Sequence, residues 1–176
     1  MTPPTTPSRP AFTLLEATLS IVLMSILAIA VLPAISMIDG ANQGAARNEA
    51  LRILTRAQSN AMTTGQPTAV AIDVPTSTLT LLWIPAESAP IAPLPDPMGQ
   101  PTPATHITDT FKGASILDFI DAQGVPGSAT VWFAFDAVPE LRDPAGVLIG
   151  PAPQDALLTL STQQPITISA ASGLIE

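Results

Sequence analysis

The chain has 176 residues, with six Lys plus Arg against 14 Asp plus Glu, no cysteine and 47% hydrophobic residues. A formal charge of −8 disfavours nucleic acid as a partner, because phosphate recognition draws on clustered basic side chains, and only Lys112 and Arg142 follow Arg56. Disulfides and thiolate metal sites are excluded, so the chain must hold by packing, and beyond the first helix it carries enough Leu, Ile, Val, Phe and Trp to exclude a disordered tail.

Met1 to Pro10 holds one basic residue, Arg9, and four prolines; the apolar group Phe12, Leu14 and Leu15 then leads to Glu16 and to an uncharged stretch, Ala17 to Ile38. As helix, that stretch reaches roughly 33 Å, against about 30 Å for a hydrocarbon core, so a membrane span is expected. A cleaved secretory signal peptide would have an apolar run of roughly 7–15 residues and a small-residue site after it, which this run exceeds. An uncleaved signal anchor is the plain alternative. Near a bilayer centre, the Glu16 carboxylate would cost on the order of 3 kcal/mol, and less toward the interface. No basic residue stands between Phe12 and Gly40 to offset that cost, and Arg9 lies back across Pro10. A new amino terminus at Phe12, on this or a neighbouring copy, would supply the missing charge. The basic flanks do not orient the span, since Arg9 precedes it and Arg47, Arg52 and Arg56 follow it.

The segment Ala11-Phe12-Thr13-Leu14-Leu15-Glu16 resembles the class III signal of type IV prepilins and type II secretion pseudopilins, usually Gly-Phe-Thr-Leu-[Leu/Ile]-Glu. The resemblance implies that a prepilin peptidase removes leader 1–11 on the cytoplasmic side, cutting between Ala11 and Phe12, and methylates the Phe12 amine. It also implies that Glu16 pairs with a neighbouring subunit's terminus during assembly. Pro33 stands where many members kink or loosen the first helix, as a missing N–H and a ring clash should. The implied location is the bacterial inner membrane, in a single pass through 12–38, with the C-terminal domain periplasmic. Ala11 departs from the usual Gly by one methyl group.

Residues 39–64 read as an amphipathic continuation of the helix. Ala46, Ala50, Ile53, Ala57 and Ala61 recur at steps of four and three, which places them on one stripe, while Arg47, Glu49, Arg52 and Arg56 take other faces. Gly40 and Gly44 predict a bend or frayed turn, and Gly65 and Pro67 predict the stop. Beyond lies a β-rich region, 65–176. Thr68 to Asp73 and Thr78 to Ile84 predict a hairpin turning at Val74 to Ser77, and Ile116 to Ile120, Thr130 to Phe135, Ala156 to Ser161 and Pro165 to Ala170 predict four further strands. Seven prolines in residues 85–105 rule out regular helix or central strand over most of that stretch, leaving a surface loop or an extended partner-binding loop. Phe135 to Gly146 reads as a turn-rich connection. The fold class is α+β: a long N-terminal helix followed by a small antiparallel β-sheet domain, pilin-like.

No catalytic pattern emerges, and neither an enzyme nor a cofactor is expected. Ser115, His106 and Asp109 could be composed into a triad on paper, but no nucleophile elbow or orienting motif accompanies them. Asp118, Asp121, Asp136, Glu140 and Asp143 supply oxygen ligands in no EF-hand spacing, and a solvated acidic face is the simpler reading. Trp83 and Trp132 sit in β-favouring runs and are read as packing residues.

The layout is similar to the GspH/FimT branch of the pseudopilin family, through the helix ending at Gly65-Gln66-Pro67, the hairpin after it and a C-terminal Ile166-Thr167-Ile168 strand followed by Gly173. That resemblance implies a minor pseudopilin, a structural subunit of a type II secretion pseudopilus. Its partners would be the prepilin peptidase, other pseudopilins or pilins through their N-terminal helices, the inner membrane and, as a further candidate, secreted cargo. The alternative is a minor type IV pilin; a FimT-like DNA-uptake pilin ranks lower, because Asp143 to Glu176 contains no Lys or Arg.

Overall fold

The computed structural model describes residues 13–86, 89–161 and 164–176, leaving aside the side chains of residues 30–36. Two compact units divide the chain, Met1–Ile38 and Asp39–Glu176, and helix α1 (Leu14–Thr64) contributes to both. The helix ends at Gly65, whose φ of 68° is left-handed and whose N–H reaches Ala61 O at 2.9 Å, a cap that costs least at glycine. Helical backbone continues through Gly40 and Gly44, so the frayed turn expected there does not form. In that region the Asn42 amide donates to Lys112 O at 3.2 Å and Ala46 is fully buried, which ties the turn down.

Among the described residues of the second unit, ten short strands follow. They are β1 (Thr68–Asp73), β2 (Thr78–Trp83), β3 (Ala92–Pro93), β4 (Thr105–His106), β5 (Ile116–Ile120), β6 (Ala129–Phe133), β7 (Pro139–Arg142), β8 (Leu148–Pro151), β9 (Ala156–Leu160) and β10 (Ile166–Ile168). One turn of helix, α2 (Ile107–Thr110), stands between β4 and β5. Strands pair antiparallel in the order β3-β2-β1-β6-β7-β8, with β4 also on β2, and a smaller sheet runs β10-β9-β5. The hairpin at Val74 to Ser77 forms as expected, with Asp73 opposite Thr78.

Two readings need correction. The connection expected over Phe135 to Gly146 contains strand β7, which begins at Pro139, where a strand tolerates a residue without an N–H. Strand β8 after it had no counterpart in the expected set. The proline-rich stretch is likewise not simply a loop: its β3 and β4 pair with β2 at Leu82 opposite Pro93 and at Thr78 opposite His106. Pro93, Pro95, Pro101 and Pro103 have no N–H to offer a further strand, so this edge of the sheet is blunted.

The core lies between α1 and the inward faces of both sheets. Every residue of the expected helical stripe is buried, Ala46, Ala50, Ile53, Ala57 and Ala61, together with Leu54. Alanine at four of these positions leaves the larger strand side chains to fill the space between helix and sheets. Period-two alternation selects what it meets: Val70 and Ile72 from β1, Leu79 and Leu81 from β2, Val131 and Phe133 from β6, Leu158 and Leu160 from β9. Each large apolar side chain so buried contributes about 1.5–3 kcal/mol. One polar clamp reinforces the packing. The Gln58 side-chain amide donates to Ala137 O at 3.0 Å and to Gly173 O at 2.6 Å, fastening the helix to the β6–β7 turn and to the C-terminal turn. Gly173 is constrained there, since a Cβ would stand 2.1 Å from Ala137 O. On the outer helix face Arg52 donates to Glu49, and that hydrogen bond holds the Glu49 carboxyl below its ordinary range.

Ala57→Leu should overpack the helix–sheet contact and lower stability by about 1–3 kcal/mol. The same change at the exposed neighbour Thr55 should stay within about 0.5 kcal/mol. Denaturant titration of both variants checks the assignment, and equal losses would contradict the burial of this helix face.

Candidate functional site

Three regions could carry function: the start of α1, the acidic turns and the outer face of the larger sheet. At the start of α1, Thr13 caps the helix. Its hydroxyl accepts the Glu16 N–H at 3.3 Å and its carbonyl accepts the Ala17 N–H at 3.1 Å. Thr13-Leu14-Leu15-Glu16 has the spacing of a capping box, with the acid three residues after the cap, a signal present in the sequence but missed in the reading above. The carboxylate therefore sits in the first turn, where the unpaired amides of the helix favour negative charge.

From Leu14 to Ile29 the apolar side chains stand exposed on all sides, with Leu14 at 84% and Leu15 at 78%. The hydroxyls among them are turned inward. Thr18 donates to Leu15 O at 2.9 Å, Ser20 to Glu16 O at 2.8 Å and Ser25 to Ile21 O at 2.8 Å. Because each hydroxyl is satisfied by its own helix, the surface it presents to a partner is apolar. Glu16 is the one ionisable residue of this unit among the described residues, and no ion pair engages it there. Among the described residues no helix is long and apolar enough to cross a membrane. The expected span includes residues 30–36, so part of it, with Pro33, lies outside the described side chains, and the expected cleavage site at Ala11 and Phe12 lies outside the described residues altogether.

The acids in the second unit have a structural task. Asp96, Asp121 and Asp143 each open a five-residue turn of the form Asp-x-x-Gly-x. In each turn one carboxylate oxygen accepts two backbone amides: those of Met98 and Gln100 at 2.8 and 2.9 Å, of Gln123 and Val125 at 2.8 and 2.9 Å, and of Ala145 and Val147 at 2.9 and 2.8 Å. The fourth residue is always glycine with positive φ, 78° at Gly99, 79° at Gly124 and 88° at Gly146, as a three-residue hairpin loop with a glycine bulge requires. Asp136 accepts the Val138 N–H in a related turn, Asp118 accepts the Phe119 N–H, and Glu140 pairs with Arg142. Among the described residues, no group of three His, Asp or Glu side chains converges as a metal site.

The paper triad is not assembled. His106 Nδ1 lies 2.9 Å from Thr78 Oγ1, where β4 meets β2, and Asp109 is exposed on α2. Ser115 hydrogen-bonds through its N–H to Ser161 Oγ, and no hydrogen bond joins Ser115, His106 and Asp109. Trp83 packs partly buried against the main core. Trp132 is 4% exposed on the opposite face of the sheet, with Ala69 and Ile84 beside it and the Arg142 guanidinium 5.8 Å from its ring centre.

No family model matches the chain, and no curated protein matches it. Among solved structures it is similar to the minor pseudopilin EpsH from the type 2 secretion system of Vibrio cholerae, at 20% identity and a TM-score of 0.46, over 77% of this chain and 93% of that one.

Asp143→Asn keeps the oxygen that accepts both turn amides and should cost little, whereas Asp143→Ala should cost about 1–3 kcal/mol by leaving them unpaired. Thermal unfolding of the two variants decides this. Equal losses would mean that charge, rather than the accepting oxygen, is what the turn needs.

Proposed function

We propose that the chain is a structural subunit of a pilin-like assembly, a minor pseudopilin of a type II secretion apparatus. In this reading a prepilin peptidase cuts between Ala11 and Phe12, the Phe12 amine is methylated, and the protein waits in the inner membrane with its β-domain in the periplasm. Assembly then buries the apolar surface of α1 against sister helices. Association of this kind draws on close van der Waals packing, since lipid offers a helix as apolar an environment as its neighbours do.

The observation that carries the proposal is Glu16: one carboxylate in the first turn of a helix whose surface over residues 14–29 is otherwise apolar and whose hydroxyls there are internally satisfied. A charge so placed is expensive without a partner, and a neighbouring subunit's terminal amine is a partner of the right sign. The α+β layout, with a long helix leading into an antiparallel domain, is the layout expected of such a subunit.

Glu16→Ala should leave membrane extraction behaviour unchanged and reduce incorporation into filaments at least tenfold, measured by shearing and immunoblotting of cells that overproduce the pseudopilus. Normal incorporation of that variant would remove the role given to Glu16.

A further inference from the structure

The outer face of the larger sheet holds a cleft that the assembly of α1 does not use. Along one row of partners run Leu82, Ala69, Trp132 and Glu140; along another run Thr80, Ala71 and Thr130. Ala69 of the central strand β1 is fully buried, and the open part of this face is lined instead by β6, β7 and the turn after β5. A trough of about 560 Å³ opens there, within the range of about 300–1,000 Å³ typical of binding clefts. Leu82, Ile91, Trp132 and Ile149 give it apolar surface.

Its charges are unbalanced. Asp121, Glu140, Arg142 and Asp143 are the ionisable residues along it. Arg142 is committed inward: it pairs with Glu140, donates to Gly146 O at 2.6 Å and stands over the Trp132 ring. Asp121 and Asp143 each use one oxygen to hold a turn, and among the described residues neither forms an ion pair. What remains toward solvent is two carboxylates beside an apolar floor.

From this complementarity we infer that the cleft binds a basic, extended segment of another polypeptide. An apolar side chain fills the trough beside Trp132 and Ile149, and lysine or arginine side chains meet Asp121 and Asp143. The inference concerns the β-domain alone and stands apart from the role of Glu16. Such a contact steers association through charge and weakens with salt, while the trough supplies shape selectivity.

The test uses the full chain in detergent carrying Trp83→Phe, which leaves Trp132 as the sole tryptophan. The probe is a nine-residue peptide of three lysine–valine–lysine repeats, compared with versions carrying serine for valine or glutamate for lysine. The lysine–valine peptide should give a saturable change in tryptophan fluorescence, at least tenfold tighter than either counterpart. Thr130→Lys, which places a like charge on the exposed wall of the trough, should weaken it at least tenfold; Thr108→Lys, the same change on exposed α2, should not. No saturable change, equal binding of the serine peptide, or equal effects of the two substitutions would each overturn the inference, the last two by reducing it to general attraction toward an acidic surface.

Discussion

The burial of the alanine stripe of α1 in one core with both antiparallel sheets is the contact on which the β-domain depends. With no cysteine in the chain, no covalent staple relieves the demand on that interface. Ala46, Ala50, Ala57 and Ala61 lose little side-chain entropy on burial, while Ile53 and Leu54 add larger apolar surface to the same face. Because one face of the larger sheet is spent on this contact, the other is left to loops and solvent. Trp132 and its neighbours therefore form a separate cluster from the main core, and the cleft beside them follows from the same division.

Much of this architecture was legible in the sequence, and the exceptions have physical causes. A stripe recurring at helical steps identified the buried face of α1, because four alanines among polar residues leave a helix one way to bury itself. Strands β1 and β5 match their expected bounds, since β-branched and aromatic runs closed by Pro, Gly or Asp read clearly. Strands β3 and β4 have two residues each and lie in a proline-rich stretch, so they exist only by pairing with β2; no local pattern specifies them. Strand β7 was hidden by Pro139 at its first position and by the charges Glu140 and Arg142, which face each other on the outer side rather than solvent alone.

The candidate sites show the same split between local and long-range information. Thr13 and Glu16 stand three residues apart, so their capping geometry could be read from spacing alone. The Asp-x-x-Gly-x turns are just as local: an acid that accepts two amides and a glycine with positive φ recur at Asp96, Asp121 and Asp143, which gives three of the acids a structural reason to exist. The cleft, by contrast, gathers residues from β2, β6, β7, β8 and the turn after β5, and its negative character depends on Arg142 being drawn inward by Glu140 and Trp132. No window of sequence contains that arrangement. The two regions also differ in chemistry, one apolar with a single acid, the other a polar-rimmed trough on an acidic domain, so they suit different partners.

The role proposed for Glu16 depends most heavily on processing of the N-terminal segment, because a new terminus at Phe12 would supply a charge of the right sign. The direct measurement is the intact mass and N-terminal peptide of the full chain co-expressed with a prepilin peptidase, beside a control prepilin in the same cells. A chain beginning at methylated Phe12 is the predicted result. A chain that keeps residues 1–11 while the control is cut would contradict the account and leave an ordinary membrane anchor in its place.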